Sequence, residues 1–113
     1  MKYVIAVIQP DRLEDVLEQL EKETVHLVTA SDVMGRGRQK GVAEIYRSHV
    51  EPGNLLRKVK IEIAVNDDYL DRTIAAITRA ARTGTIGDGK IFILDLEECI
   101  RIRTGEMGQL AIG

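Results

Sequence analysis

The sequence predicts an α+β fold, a ferredoxin-like double βαβ sandwich in which one sheet carries two helices on one face. Three observations carry that expectation. Apolar residues alternate at period two in several short segments, two apolar stripes at helical spacing lie between them, and the order strand, helix, strand occurs twice in 113 residues.

Residues 3–9 are β-branched and apolar and stop at Pro10, a good first-turn residue and a poor strand residue. Asp11 with Glu14 then resembles a capping box, and Leu13, Val16, Leu17 and Leu20 fall on one helical face. A second strand is expected over residues 25–34. In the second half Val59, Ile61, Ile63 and Val65 alternate with Lys60, Glu62 and Ala64, a half-buried strand with one polar face. Asn66, Asp67 and Asp68 are cap candidates for a helix with Leu70, Ile74, Ile77 and Ala81 inward and Gly84 as its stop. Residues 91–96 form the next strand. Ile100 and Ile102 alternate with Arg101 and Arg103, which predicts a short extra strand or extended edge with both guanidinium groups on one face.

These elements make one domain over residues 1–113 with a projecting loop at about 36–57 between strands 2 and 3. A connection of that length exceeds the roughly 12 to 15 residues beyond which a loop in a compact domain usually carries function. A chain this short leaves about a third of its unfolded surface wet, so an oligomer interface would bury more. The 44% apolar content excludes a disordered tail. No apolar run approaches the roughly 20 residues of a membrane-spanning helix, no secretory signal pattern opens the chain, and the lone Cys99 fits a reducing cytoplasm.

Charge is distributed unevenly. The net charge of -2 hides a basic middle: residues 35–60 hold seven basic and two acidic side chains, against three and seven before it and six and nine after it. Such a block points to an anion. Within it, Gly35-Arg36-Gly37-Arg38-Gln39-Lys40-Gly41 interleaves glycines with cations, suited to wrapping a polyphosphate. Gly84-Thr85-Ile86-Gly87-Asp88-Gly89-Lys90 formally satisfies GxxxxGK. It is not a P-loop, because Ile91 stands where Ser or Thr is needed and a strand follows instead of a helix. The glycines still let backbone N–H groups approach an anion, with Lys90 adding charge. Arg101 and Arg103 supply forked donors that match phosphate oxygens. Three such clusters together point to a nucleotide or oligoanion site.

Other function classes lack their residues. RNA-recognition modules of this strand order read bases with stacking aromatics, and the strands offer only Tyr3 and Phe92, so no nucleic-acid partner is expected. His26 and His49 have no nucleophile or metal-ligand spacing, Met34, His49 and Glu51 make at best a poor soft-metal set, and no residue is placed to activate water. Catalysis is not expected.

With the clusters assembled, the chain resembles the PII signal-transduction proteins, small trimeric sensors of nitrogen and carbon status. The resemblance spans nearly the whole chain. It rests on the 35–41 cluster, Glu44-Ile45-Tyr46-Arg47, Lys58-Val59-Lys60-Ile61-Glu62, Ala81-Arg82-Thr83-Gly84, Ile86-Gly87-Asp88-Gly89-Lys90-Ile91-Phe92, and Ile100-Arg101-Ile102-Arg103-Thr104-Gly105-Glu106. It implies a cytoplasmic homotrimer, peripheral to a membrane when bound to a transporter, in which ATP and ADP compete for clefts between subunits. It implies nucleotide contacts from Val28, Thr29, Gly35, Gly37, Arg38, Gln39, Glu62, Gly87, Asp88, Gly89, Lys90, Arg101 and Arg103, with Val28, Thr29 and Glu62 at the adenine. Gln39 would hold Mg2+ with ATP, and Gln39, Gly41 and Lys58 would bind 2-oxoglutarate. Output would be docking of residues 42–54 on a partner enzyme or membrane transporter.

Departures from the family pattern fall in the loop. The tyrosine uridylylated in many members aligns with Glu51, which has no hydroxyl, and the serine phosphorylated in cyanobacterial members aligns with His49, beside Ser48. Arg36 and Thr85 replace a common apolar residue and a common lysine. Members tied to metal-efflux or inorganic-carbon transport also lack the tyrosine, so a regulator of that kind, sensing adenine nucleotides only, is the alternative expectation.

Overall fold

The computed structural model describes residues 1–37 and 55–113. Its elements are β1 (Lys2–Ile8), α1 (Leu13–Lys22), β2 (Thr29–Gly35), β3 (Leu56–Val65), α2 (Leu70–Ala81), β4 (Lys90–Asp95) and a terminal helical turn, Gln109–Ile112. The four strands form one sheet in the order β2-β3-β1-β4, antiparallel at every pairing. This is the ferredoxin-like arrangement, and the expected fold class is the observed one.

Alternation decides which face packs. Val4, Ala6 and Ile8 of β1 and Val59, Ile61, Ile63 and Val65 of β3 are buried against Val16 and Leu20 of α1 and Ala76, Ile77 and Ala81 of α2. Each fully buried Leu or Ile contributes about 1.5–3 kcal/mol. Leu17, expected inward, is 39% exposed, because the α1 stripe narrows to Val16 and Leu20. The other face of the sheet stays open, with Tyr3, Ile5 and Val7 only partly covered and Phe92 and Leu94 about half exposed.

Both helices are entered in the same way, and not by the expected side-chain caps. A single 3-10 turn precedes each, Pro10–Arg12 and Asp67–Tyr69, and the residue before each helix, Arg12 or Tyr69, has φ -99° and ψ -6°. Backbone bonds from Arg12 N–H to the Gln9 carbonyl (3.0 Å) and from Tyr69 N–H to the Asn66 carbonyl (2.9 Å) tighten these turns. The two halves therefore repeat in backbone geometry without repeating in sequence.

Boundaries moved where a turn intervened. Thr24, at φ 60°, ends α1 in the left-handed region, with Val25 N–H returning to the Leu20 carbonyl at 2.9 Å, so β2 begins at Thr29 and not at residue 25. Leu56 and Arg57, placed in the loop by sequence, belong to β3. The predicted extra strand at residues 100–103 is a reversal instead. Ile100 bridges Met107, Gly105 N–H donates to the Arg101 carbonyl (2.8 Å), Arg101 N–H donates to the Glu106 carbonyl (2.9 Å), and Gly105 at φ 76° makes the turn possible.

Candidate functional site: a cationic recess at one end of the sheet

The open face of the sheet places the candidate residues in rows. Thr29, Glu62, Ile5 and Phe92 stand side by side across the four strands. The next row holds Ser31, Lys60, Val7 and Lys90, and the next pairs Val33 with Lys58. Rows lie roughly 6.6 Å apart at about 3.3 Å per residue. Val28 precedes β2, partly buried on the core.

At the Lys58 end the strands, the 82–90 turn and the start of the long connection enclose a recess of about 430 Å3. Gly35, Arg36 and Gly37 form one wall, Gly87, Gly89 and Lys90 another, and Val7 and Phe92 an apolar floor. Lys58 is 7% exposed, its Nζ donates to the Gly87 carbonyl at 3.4 Å, and its Cγ lies 3.5 Å from where a Cβ on Gly35 would stand. An added side-chain carbon there would meet the lysine stem at ordinary contact distance, so the lysine packs closely along the Gly35 backbone. Three cations, Arg36, Lys58 and Lys90, thus line one concavity, a field suited to a compact polyanion.

The turn beside it is pinned by its own acid. Asp88 accepts from the Thr83 amide (2.8 Å), the Gly84 amide (2.9 Å) and the Thr83 hydroxyl. Partial burial alone would push the Asp88 carboxyl up, but the Thr83 hydroxyl, the Thr83 and Gly84 amides and the Arg12 charge outweigh it and hold the carboxyl below its usual range. Since the folded value lies below the unfolded one, this stabilisation is complete above about pH 4 and fades as pH falls through the folded value. Asp88→Asn is therefore expected to speed exchange of the Thr83 and Gly84 amides about tenfold at neutral pH, read by hydrogen exchange, because bonds to a charged acceptor are the stronger kind. Parental protection in the variant would show that the carboxylate does not hold the turn.

Glu62 is held on the same face. Lys60 Nζ lies 3.9 Å from it, and the Tyr3 hydroxyl is pushed above its ordinary value by burial, by its hydrogen bond to Glu62 and by that residue's charge. Thr29, exposed, is its partner in register.

Arg101 and Arg103 do not join this group within one chain. From Val7, opposite Lys90, to Lys2, opposite Asp95, β1 covers about 17 Å at roughly 3.3 Å per residue. The chain beyond β4 stays at that far end, where Leu96 N–H donates to the Met1 carbonyl (3.0 Å) and Asn66 Nδ2 to the Gln109 carbonyl (3.3 Å). There Arg101 donates to Glu106 Oε1 (2.7 Å) and to the Leu110 carbonyl (3.0 Å), while Arg103 is exposed on the turn. Arg38, Gln39 and Gly41, with Ser48, His49 and Glu51, lie outside the described residues.

Sequence reasoning included Arg36 in the 35–41 cation cluster but did not assign Val7 or Phe92 to the site. The strand register carries the missing signal, because Val7 pairs Lys90 and Phe92 follows on the same face. No group of three or more His, Cys, Asp or Glu side chains among the described residues is arranged to hold a metal.

Comparison with known proteins identifies the family and the fold. The family model described as "Nitrogen regulatory protein P-II" matches residues 1–106. The chain is 54% identical over 114 residues to "Nitrogen regulatory protein GlnK1" of Methanosarcina mazei, covering 99% of this chain and 97% of the relative. It is 49% identical over 112 residues to "Nitrogen regulatory protein GlnK" of Escherichia coli, covering 99% and 100%. A solved structure of Arabidopsis thaliana PII bound to citrate superposes with a TM-score of 0.81 at 38% identity, covering 98% of this chain and 88% of that one. With family match, fold and near-complete coverage in agreement, the chain belongs to the nitrogen regulatory protein P-II family.

Proposed function

We propose that this P-II protein senses ATP, ADP and 2-oxoglutarate and reports them to a partner enzyme or membrane transporter through residues 42–54. Members of its family are regulators of other proteins and are not themselves enzymes. The observation that carries the proposal is the recess in which Arg36, Lys58 and Lys90 surround glycine backbone.

In this reading the chain acts as a homotrimer. Two features support that: the open sheet face keeps Phe92 and Leu94 about half exposed, and Arg101 and Arg103 stand at the opposite end of the sheet from Lys90. A second copy would bring its arginines to the first copy's Gly87, Asp88, Gly89 and Lys90, with adenine bordered by Val28, Thr29 and Glu62. Gly35, Gly37 and Arg38 would complete the phosphate contacts. Gln39, with an amide oxygen suited to a hard cation, would hold Mg2+ on ATP, and 2-oxoglutarate would add to that ion with Lys58 and Gly41 at its carboxylates. That a solved relative is bound to citrate, another polycarboxylate, is consistent with a carboxylate subsite. Ligands that bind only together would make the protein a coincidence sensor, since each ligand shifts the loop only by its differential affinity for the two states. Glu51 cannot be uridylylated, because it has no hydroxyl. No described helix is long and apolar enough to cross a membrane. Action on a transporter would be from the cytoplasmic surface.

Calorimetry is the direct check. ATP and ADP are expected to bind at micromolar Kd or tighter, about -8 kcal/mol or more favourable, and to displace each other. Absence of heat with either nucleotide would overturn the reading. Nucleotide binding without any response to 2-oxoglutarate would favour the regulator of metal-efflux or inorganic-carbon transport, which the replacement of the modifiable tyrosine by Glu51 also fits.

A further inference from the structure

The hairpin over residues 100–107 treats its two arginines differently. Arg103 is exposed on the turn, with no hydrogen bond or ion pair among the described residues. Arg101 is about two-thirds buried, and its guanidinium is fixed from two sides: Nη1 donates to Glu106 Oε1 at 2.7 Å, and Nη2 to the Leu110 carbonyl at 3.0 Å. Glu106 is itself held. Its Oε1 also accepts from the Thr104 hydroxyl at 2.9 Å, and its N–H donates to Thr104 Oγ1 at 3.2 Å.

We propose that Glu106 is a positioning residue for phosphate recognition, holding the Arg101 guanidinium so that its remaining N–H groups are already ordered when a nucleotide arrives. This rests on the nucleotide reading above. A guanidinium has five N–H donors in a rigid fork, and two are used here, which leaves three for an oxyanion. An unanchored arginine loses its rotamer freedom at the moment of binding, whereas one already ordered by Glu106 and the Leu110 carbonyl has lost it on folding.

The same carboxylate also repels phosphate, so the sign of its effect needs deciding. Glu106 is 41% exposed, and water and salt screen its field on an incoming anion. Orientation through two short bonds is not screened. Positioning therefore outweighs repulsion, and the carboxylate helps the anion it superficially opposes.

The test is calorimetric titration of ADP into the full chain and its variants. Glu106→Ala is expected to weaken ADP about tenfold, and Glu106→Gln, which keeps the acceptor and loses the charge, to stay within about twofold of the parent. Rescue by the amide separates positioning from charge. Thr104→Val, which removes one of the bonds on Glu106 and leaves the carboxylate in place, should weaken ADP about threefold. It serves as the deciding variant if Glu106→Ala does not fold. Unchanged or tighter binding by Glu106→Ala, or failure of Glu106→Gln to restore affinity, overturns the proposal alone. No ADP binding by the parent chain overturns both this proposal and the nucleotide reading.

Discussion

Gly89→Ala is expected to destabilise the fold by about 3 kcal/mol or more and to abolish nucleotide binding. Gly89 has φ 102°, and a Cβ there would lie 1.7 Å from the Val7 carbonyl oxygen and 2.9 Å from its carbon. Both obstacles are backbone, so no rotamer change relieves them. They lie where β4 begins to pair with β1, Lys90 opposite Val7, so relief means separating the strands that form the floor of the recess. Gly84→Ala is the matched control. Gly84 has φ 88°, but nothing lies within 4 Å of its added Cβ, so only the backbone conformation resists and the cost should be about 1 kcal/mol. Urea denaturation of the two variants reads the difference. A parental midpoint for Gly89→Ala would contradict the described approach of the 82–90 turn to β1.

Lys58→Ala is expected to weaken 2-oxoglutarate at least about a hundredfold while leaving ADP within a few-fold, because truncating one partner of a buried charge pair costs about 2–5 kcal/mol. Burial makes this lysine different from the others. At 7% exposure it is the buried cation of the recess, whereas Lys90 is exposed. A buried ammonium has left most of its water behind and gains accordingly from a carboxylate. Lys58→Arg should not restore affinity, since the planar fork is bulkier than the compact ammonium, which is buried and donates to the Gly87 carbonyl. Calorimetry with each ligand reads the split. Equal loss of ADP and 2-oxoglutarate would mean that Lys58 supports the recess as a whole and does not select the carboxylate.

Period-two and helical patterns made most of this fold legible in the sequence. The β3 alternation of Val59, Ile61, Ile63 and Val65 is the buried pattern observed, because one face of an antiparallel strand packs and the other does not. Arg101 and Arg103 misled for the same reason. Two residues of alternation look like a strand, but Thr104 and Gly105 reverse the chain, and a turn signal overrides so short a period. The helix entries misled differently: Asp11 and Asn66 have the right chemistry for caps, yet the 3-10 turns satisfy those ends through the backbone. At the site, the glycine–lysine turn could be read from composition, but the burial of Lys58 could not. It depends on register with Val33 and on Gly87 folding over from the turn after α2, which are contacts between distant parts of the chain. The Glu106 anchor on Arg101 was missed because a carboxylate five residues from an arginine has no helical or strand spacing to mark it.

If the anion site reads two ligands together, 2-oxoglutarate binds only where Mg-ATP is present. Calorimetric titration of 2-oxoglutarate into the protein with and without Mg-ATP separates the coupled from the uncoupled case. Saturable binding is expected with Mg-ATP present, and no measurable heat without it. Equal affinity in both conditions would contradict the coupling.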